Sequence, residues 1–162
     1  MKKNNKGFTL VELLAVIVIL AVIILIAVNA IIPQMNKAKK NAFVDEANIY
    51  MQAADKAYVD FQMDNSSLST YKFYVGKNSG NELNGNYVKK SDSSYKGCIT
   101  LDRTGNVTKF YLTNGKYMVT KSSNVPKKIS TSDVIKIDSS HSWYSEHEEC
   151  NEHSTDLLLD PD

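Results

Sequence analysis

Lys6-Gly7-Phe8-Thr9-Leu10-Val11-Glu12 opens into Leu13–Val28, a run without one polar side chain, which resumes after Asn29 with Ala30-Ile31-Ile32 and stops at Pro33. From Leu13 to Ile32 there are twenty residues, all apolar but Asn29. At about 1.5 Å per residue such a helix is roughly 30 Å long, the hydrocarbon thickness of a bilayer. The run is longer than a secretory h-region of roughly 7–15 residues, and no small-x-small cleavage site follows it. The stretch therefore predicts a retained helix that spans a membrane or is buried in a bundle. Glu12 is out of place at its start. A carboxylate beside hydrocarbon either snorkels to the interface or has a partner.

Working outward, Pro33 lacks a backbone donor and is expected to kink the helix or loosen its hydrogen bonds. Beyond it Phe43, Ala47, Tyr50, Ala54, Ala57 or Tyr58, and Phe61 recur at three- and four-residue steps, with Lys37, Lys40, Asp45, Asn48, Gln52, Asp55 and Asp60 mostly elsewhere. That is a single apolar stripe, so the helix continues in amphipathic form over 34–63 and offers one face to a core. Asp64-Asn65-Ser66-Ser67 ends it.

The composition then shifts to short β-rich runs. Tyr71 to Val75 reads as a first strand or an irregular excursion, and Lys77 to Asn86 as a loop. Cys98 to Asp102, Val107 to Leu112 and Lys116 to Thr120 are separated by Arg103-Thr104-Gly105-Asn106 and by Thr113-Asn114-Gly115. Asn-Gly between β runs signals a hairpin, because both residues tolerate positive φ. The pattern predicts an antiparallel three-strand meander with Ile99, Leu101, Phe110 and Leu112 facing the helix. Val134 to Ile137 adds a fourth strand after the Pro126 loop. The fold class is α+β: a long N-terminal helix packed on an antiparallel sheet.

The chain of 162 residues carries 19 basic and 18 acidic side chains, a formal charge of +1. Loss of Lys2, Lys3 and Lys6 would leave 16 basic against 18 acidic, or −2. No basic excess points to nucleic acid. Charge is segregated, since only Lys136 is basic from Asp133 onward, where acidic residues dominate. Lysines stand on both sides of the apolar run (Lys2, Lys3 and Lys6; Lys37, Lys39 and Lys40), so the positive-inside rule does not orient it.

Gly7-Phe8-Thr9-Leu10-Val11-Glu12-Leu13-Leu14 resembles the processing site and helix start of type IV pilins and pseudopilins. The resemblance covers roughly the first 60 residues; beyond that it is one of layout. It implies a leader at 1–7, a transmembrane or filament-core helix at 8–33 and a head at 34–162, with the sheet and C-terminal loop at 68–162. A prepilin peptidase would cut between Gly7 and Phe8 and N-methylate Phe8. Expected partners are this peptidase, the pilus assembly machinery, the cytoplasmic membrane before assembly, and further subunits in a homo-oligomeric filament. The head would lie outside the cell. In the filament core Glu12 would meet the Phe8 ammonium of a neighbouring subunit, which removes the penalty of a lone buried charge and sets subunit register. The resemblance implies a structural subunit used in twitching, adhesion, DNA uptake or secretion. A membrane-tethered minor pilin or pseudopilin acting as a binding module is the alternative.

The two cysteines, Cys98 and Cys150, are expected to pair in such an external head, tying the acidic C-terminal segment to the first meander strand. A zinc site competes with that pairing. His147-x-x-Cys150-x-x-His153 lies among carboxylates, although the spacing matches no closed four-ligand pattern. No EF-hand spacing supports calcium. The chain has no Gly-x-Ser-x-Gly, phosphate loop, His-Glu-x-x-His or dinucleotide fingerprint, so it reads as a non-enzyme with no cofactor.

Overall fold

The computed structural model describes residues 8–64, 68–76, 82–83, 87–88, 94–123, 125–138 and 150. The chain divides into two compact units, Met1–Lys39 and Lys40–Asp162.

In the first unit the helix α1 (Leu10–Asp64) begins, and its helical assignment continues through Pro33. The proline removes the donor that the Asn29 carbonyl would otherwise receive. Asn29, the one polar residue of the run, turns its amide back and donates from Nδ2 to the Leu25 carbonyl at 3.3 Å.

The second unit packs the rest of α1 on a sheet. Five strands follow: β1 (Thr70–Val75), β2 (Lys96–Asp102), β3 (Val107–Thr113), β4 (Tyr117–Lys121) and β5 (Val134–Lys136). They form one sheet in chain order, and every pairing is antiparallel. The expected meander is therefore its centre, flanked by β1 and by a short β5.

The stripe on α1 is the helix side of the core. Phe43, Ala47, Tyr50, Ala54 and Ala57 are almost fully buried, and Tyr58 and Phe61 pack at its margin. Ala47, Ala54 and Ala57 put small side chains at fully buried positions of this face. Ile99, Leu101, Phe110 and Leu112 face them, each fully buried, as their alternation along β2 and β3 predicts. Each such side chain contributes roughly 1.5–3 kcal/mol on burial. Aromatic contacts order the layer: Phe43 stacks on Tyr95 at 5.9 Å, and Tyr58 meets Tyr71 edge-on at 4.9 Å.

Side-chain hydrogen bonds set the turns. Asp102 Oδ1 accepts from the Thr104 and Asn106 amides and from Thr104 Oγ1, closing the β2–β3 turn. Gly105 in that turn has φ +81°, and a Cβ there would stand 2.8 Å from the Tyr58 ring. Both the conformation and the close approach require glycine. In the β3–β4 turn Asn114 Oδ1 accepts from the amides of Lys116 and Tyr117, and Gly115 takes φ +79°.

Asn48 ties a distant segment to the helix. Its Nδ2 donates to the Val44 and Ile129 carbonyls at 2.9 and 3.0 Å, and its Oδ1 accepts from the Ile129 amide at 2.8 Å. One amide thus satisfies both backbone groups of Ile129, a residue 1% exposed. This fixes the approach to a 3₁₀ turn, Thr131–Asp133, and so to β5.

Candidate functional site

The start of α1 is built by two side chains three residues apart. The Thr9 amide and Thr9 Oγ1 both donate to Glu12 Oε2 at 2.8 Å, and the Glu12 amide donates back to Thr9 Oγ1 at 3.3 Å. This is a reciprocal capping box, Thr at the cap and Glu at the third helical position, which satisfies donors that a helix start leaves orphaned. A negative charge there also favours the positive end of the helix dipole. The Thr-x-x-Glu spacing was a signal for this cap, but the reading of Glu12 as half of an intersubunit pair passed over it. Glu12 therefore has a partner within its own chain. That local bond engages Oε2.

The residues behind the cap present apolar surface on every side. Phe8 is 87% exposed, and Leu13, Ile17, Leu20, Ile24, Ile31 and Met35, among others, are each about half exposed or more. No face of this stretch is set aside for water, whereas a surface helix of a water-soluble protein reserves one. Continuous apolar surface on this scale is unfavourable in water and needs lipid or other helices around it. It is the one helix among the described residues long and apolar enough to cross a membrane.

On the head, the sheet face away from α1 carries a second, smaller cluster: Cys98, Tyr111, Met118 and Cys150, with Tyr74 and Ile137 beside them. Cys98 and Cys150 are joined by a disulfide, with their Cα atoms 5.4 Å apart. The alternative zinc site is corrected by this bond, since Cys150 has no thiolate left to give a metal; His147 and His153 lie outside the described residues. Among the described residues no three His, Cys, Asp or Glu side chains converge as a metal site requires.

On the head an ion pair joins Lys121 Nζ to Asp133 Oδ1 at 2.7 Å. The Lys121 hydrogen bond, with those from the Ser130 hydroxyl and amide, lowers the Asp133 carboxyl to about 2. It braces β5 against β4. Hydrogen bonds from Thr104 and then Asn106 lower Asp102 in the same way. Both are structural bonds.

Residues 2–28 match the model of the prokaryotic N-terminal methylation motif. The chain carries the class III leader of type IV pilins and pseudopilins. This pilin-like protein matches no curated protein and no solved structure. The leader implies processing by prepilin peptidase and entry into a pilus-like system, and with the apolar helix it implies membrane anchoring. Phe8 and Glu12 fall within the matched residues and are described above; Gly7 falls within them too but lies outside the described residues.

Proposed function

We propose that the chain is a structural subunit of a type IV pilus-like filament. Cleavage follows Gly7, and Phe8 becomes the N-methylated terminus. The apolar half of α1 holds the subunit in the cytoplasmic membrane and then enters the filament core, with the head on the cell surface. There Glu12 pairs with the Phe8 ammonium of a neighbouring copy and sets its axial position. The observation that carries this reading is the uncovered apolar surface of α1, most of which lies within the residues that match the methylation motif. Such a surface must be buried by something other than water, and a bundle of like helices does so. The capping box is compatible with the pairing, because only one carboxylate oxygen is engaged by Thr9.

The test is intact mass on protein sheared from the surface of producing cells. The expected species lacks residues 1–7, carries one added methyl and is two hydrogens lighter for the disulfide. An unprocessed Met1 start would overturn the reading. Processed protein that stays in the membrane and is never shed would replace it with the tethered binding module.

A further inference from the structure

Lys37 and Lys39, on α1 just past the apolar run, are exposed and have no counter-ion among the described residues. The sequence explains why. Residues 13–44 contain no aspartate or glutamate, and the first carboxylate beyond them is that of Asp45. Side chains pair along a helix at three- and four-residue steps. For Lys37 those positions hold Pro33, Gln34, Lys40 and Asn41, and for Lys39 they hold Met35, Asn36, Ala42 and Phe43. Neither lysine can form an ion pair along α1. Lys40, the next basic residue, is half-buried and belongs to the second unit.

Their height fits a headgroup layer. At about 1.5 Å per residue the two lysines lie roughly 7.5 and 10.5 Å along the axis beyond Ile32. A bilayer adds a polar layer of roughly 5–7.5 Å to each side of its hydrocarbon. The Cα–Cβ bonds of a helix tilt toward its N-terminus, so a long side chain here leans back toward the apolar run. Lysine stems lie along apolar surface while the ammonium reaches polar groups. Both ammoniums thus come to the level of lipid phosphates. Two residues apart on a helix is about 200°, so the charges stand on opposite sides of α1. The run before them is likewise exposed all round. Both features call for surroundings on every side, which a ring of lipid provides and a single docked chain does not. The proposed orientation puts these lysines outside, where the positive-inside rule counts against them, so insertion topology does not account for them.

We infer that Lys37 and Lys39 form a cationic collar that binds the phosphates of anionic phospholipids and fixes the depth of α1 in the bilayer. The inference rests on the proposed membrane placement of this helix and goes beyond it in naming the lipid class. Each lysine held at an anionic surface favours binding by roughly five-fold. The apolar run makes the helix a membrane helix in any lipid, and the collar gives it a preference among lipids.

The test is native mass spectrometry of the full-length chain ejected from nanodiscs of mixed phosphatidylcholine and phosphatidylglycerol, counting which lipid stays bound. Lys2→Gln, Lys3→Gln and Lys6→Gln are introduced first, so that the other end of the run carries no lysine. In that background phosphatidylglycerol is expected to be retained several-fold over phosphatidylcholine. Adding Lys37→Gln and Lys39→Gln should lower the preference by roughly five-fold or more. No preference before the second pair of substitutions, or a preference that survives it, would overturn the collar. Alkaline washing of phosphatidylcholine vesicles checks the placement separately. A chain extracted by the wash would overturn the membrane reading and the collar with it, whereas a chain that stays inserted yet shows no lipid preference would overturn the collar alone.

Discussion

Glu12→Gln separates the observed cap at the start of α1 from the intersubunit pairing proposed for the same carboxylate. Glutamine keeps a side-chain oxygen of the same reach, so the Thr9 amide retains an acceptor and the cap survives in outline. What is lost is the charge. In the membrane-held subunit that removes a favourable dipole interaction of roughly 0.3–1 kcal/mol, too little to unmake a 55-residue helix. In a dry bundle it strands the Phe8 ammonium of the neighbouring copy, and breaking a buried pair from one side costs about 3–5 kcal/mol. At 1.4 kcal/mol per factor of ten, subunit addition should weaken by roughly two to three and a half orders of magnitude. Thr9→Val is the converse. It removes the hydroxyl that donates to Glu12 and accepts from its amide, about 1 kcal/mol of cap, and leaves the charge. The assay is quantification of sheared filaments against processed subunit in the membrane, with intact mass to verify cleavage in each variant. Glu12→Gln should abolish filaments at a normal membrane level, and Thr9→Val should reduce them less than about tenfold. Normal filament yield from Glu12→Gln would refute the register argument. Equal damage from Thr9→Val would show that the cap, rather than the charge, is what assembly needs.

Other perturbations test the head by chemical or thermal unfolding. Asn48→Ala leaves the buried amide and carbonyl of Ile129 without their partner and should destabilise by roughly 2–4 kcal/mol; a loss below about 0.5 would mean the segment holds itself. Gly105→Ala forces a side chain into positive φ and against Tyr58, and should cost about 1–2 kcal/mol without changing the far-UV spectrum. Asp133 is held at about 2 against an ordinary 3.8, so its contribution is present above pH 4 and lost as pH falls toward 2. Screening at a surface pair limits this to roughly 1 kcal/mol, so Asp133→Asn should be less stable by about that much at pH 7 and indistinguishable below pH 2.

What was legible in the sequence was what periodicity and turn chemistry encode. The stripe from Phe43 to Phe61 and the inward set Ile99, Leu101, Phe110 and Leu112 follow from spacing alone, because burial on one face imposes a period. Asn114-Gly115 announced its hairpin because few residues accept that backbone. Strand β1 was half visible: Thr70–Val75 alternates correctly, but no tight turn leads from it to β2, so its pairing depends on residues more than twenty positions away. Leu83 is buried although it sits in Lys77 to Asn86, a stretch that reads as loop, since packing reaches single residues that no period marks. The Asn48 clamp was illegible for the same reason, its partner lying 81 residues on. The capping box was the opposite case, a local pattern in plain view that a more prominent reading of the same glutamate displaced.

The two parts of α1 solve different solvation problems, and the difference bears on mechanism. Over 43–61 the helix has one buried face because water takes the other. Over 13–32 it has no preferred face, so its surroundings must be apolar all round, and lipid and a bundle of like helices meet that demand almost equally. Lipid tails are as apolar as leucine, so leaving the bilayer for a filament yields little hydrophobic energy. In the proposed filament, whatever drives assembly and fixes its register must then come from close packing and from groups that lipid cannot satisfy. The first turn of this helix offers one charged side chain of that kind, Glu12, capped by Thr9 on one oxygen. A subunit displaced along the axis would keep nearly all its apolar contacts and lose only that pair. In the proposed filament, selectivity would therefore rest on that carboxylate, while the apolar run around it would add close packing without direction.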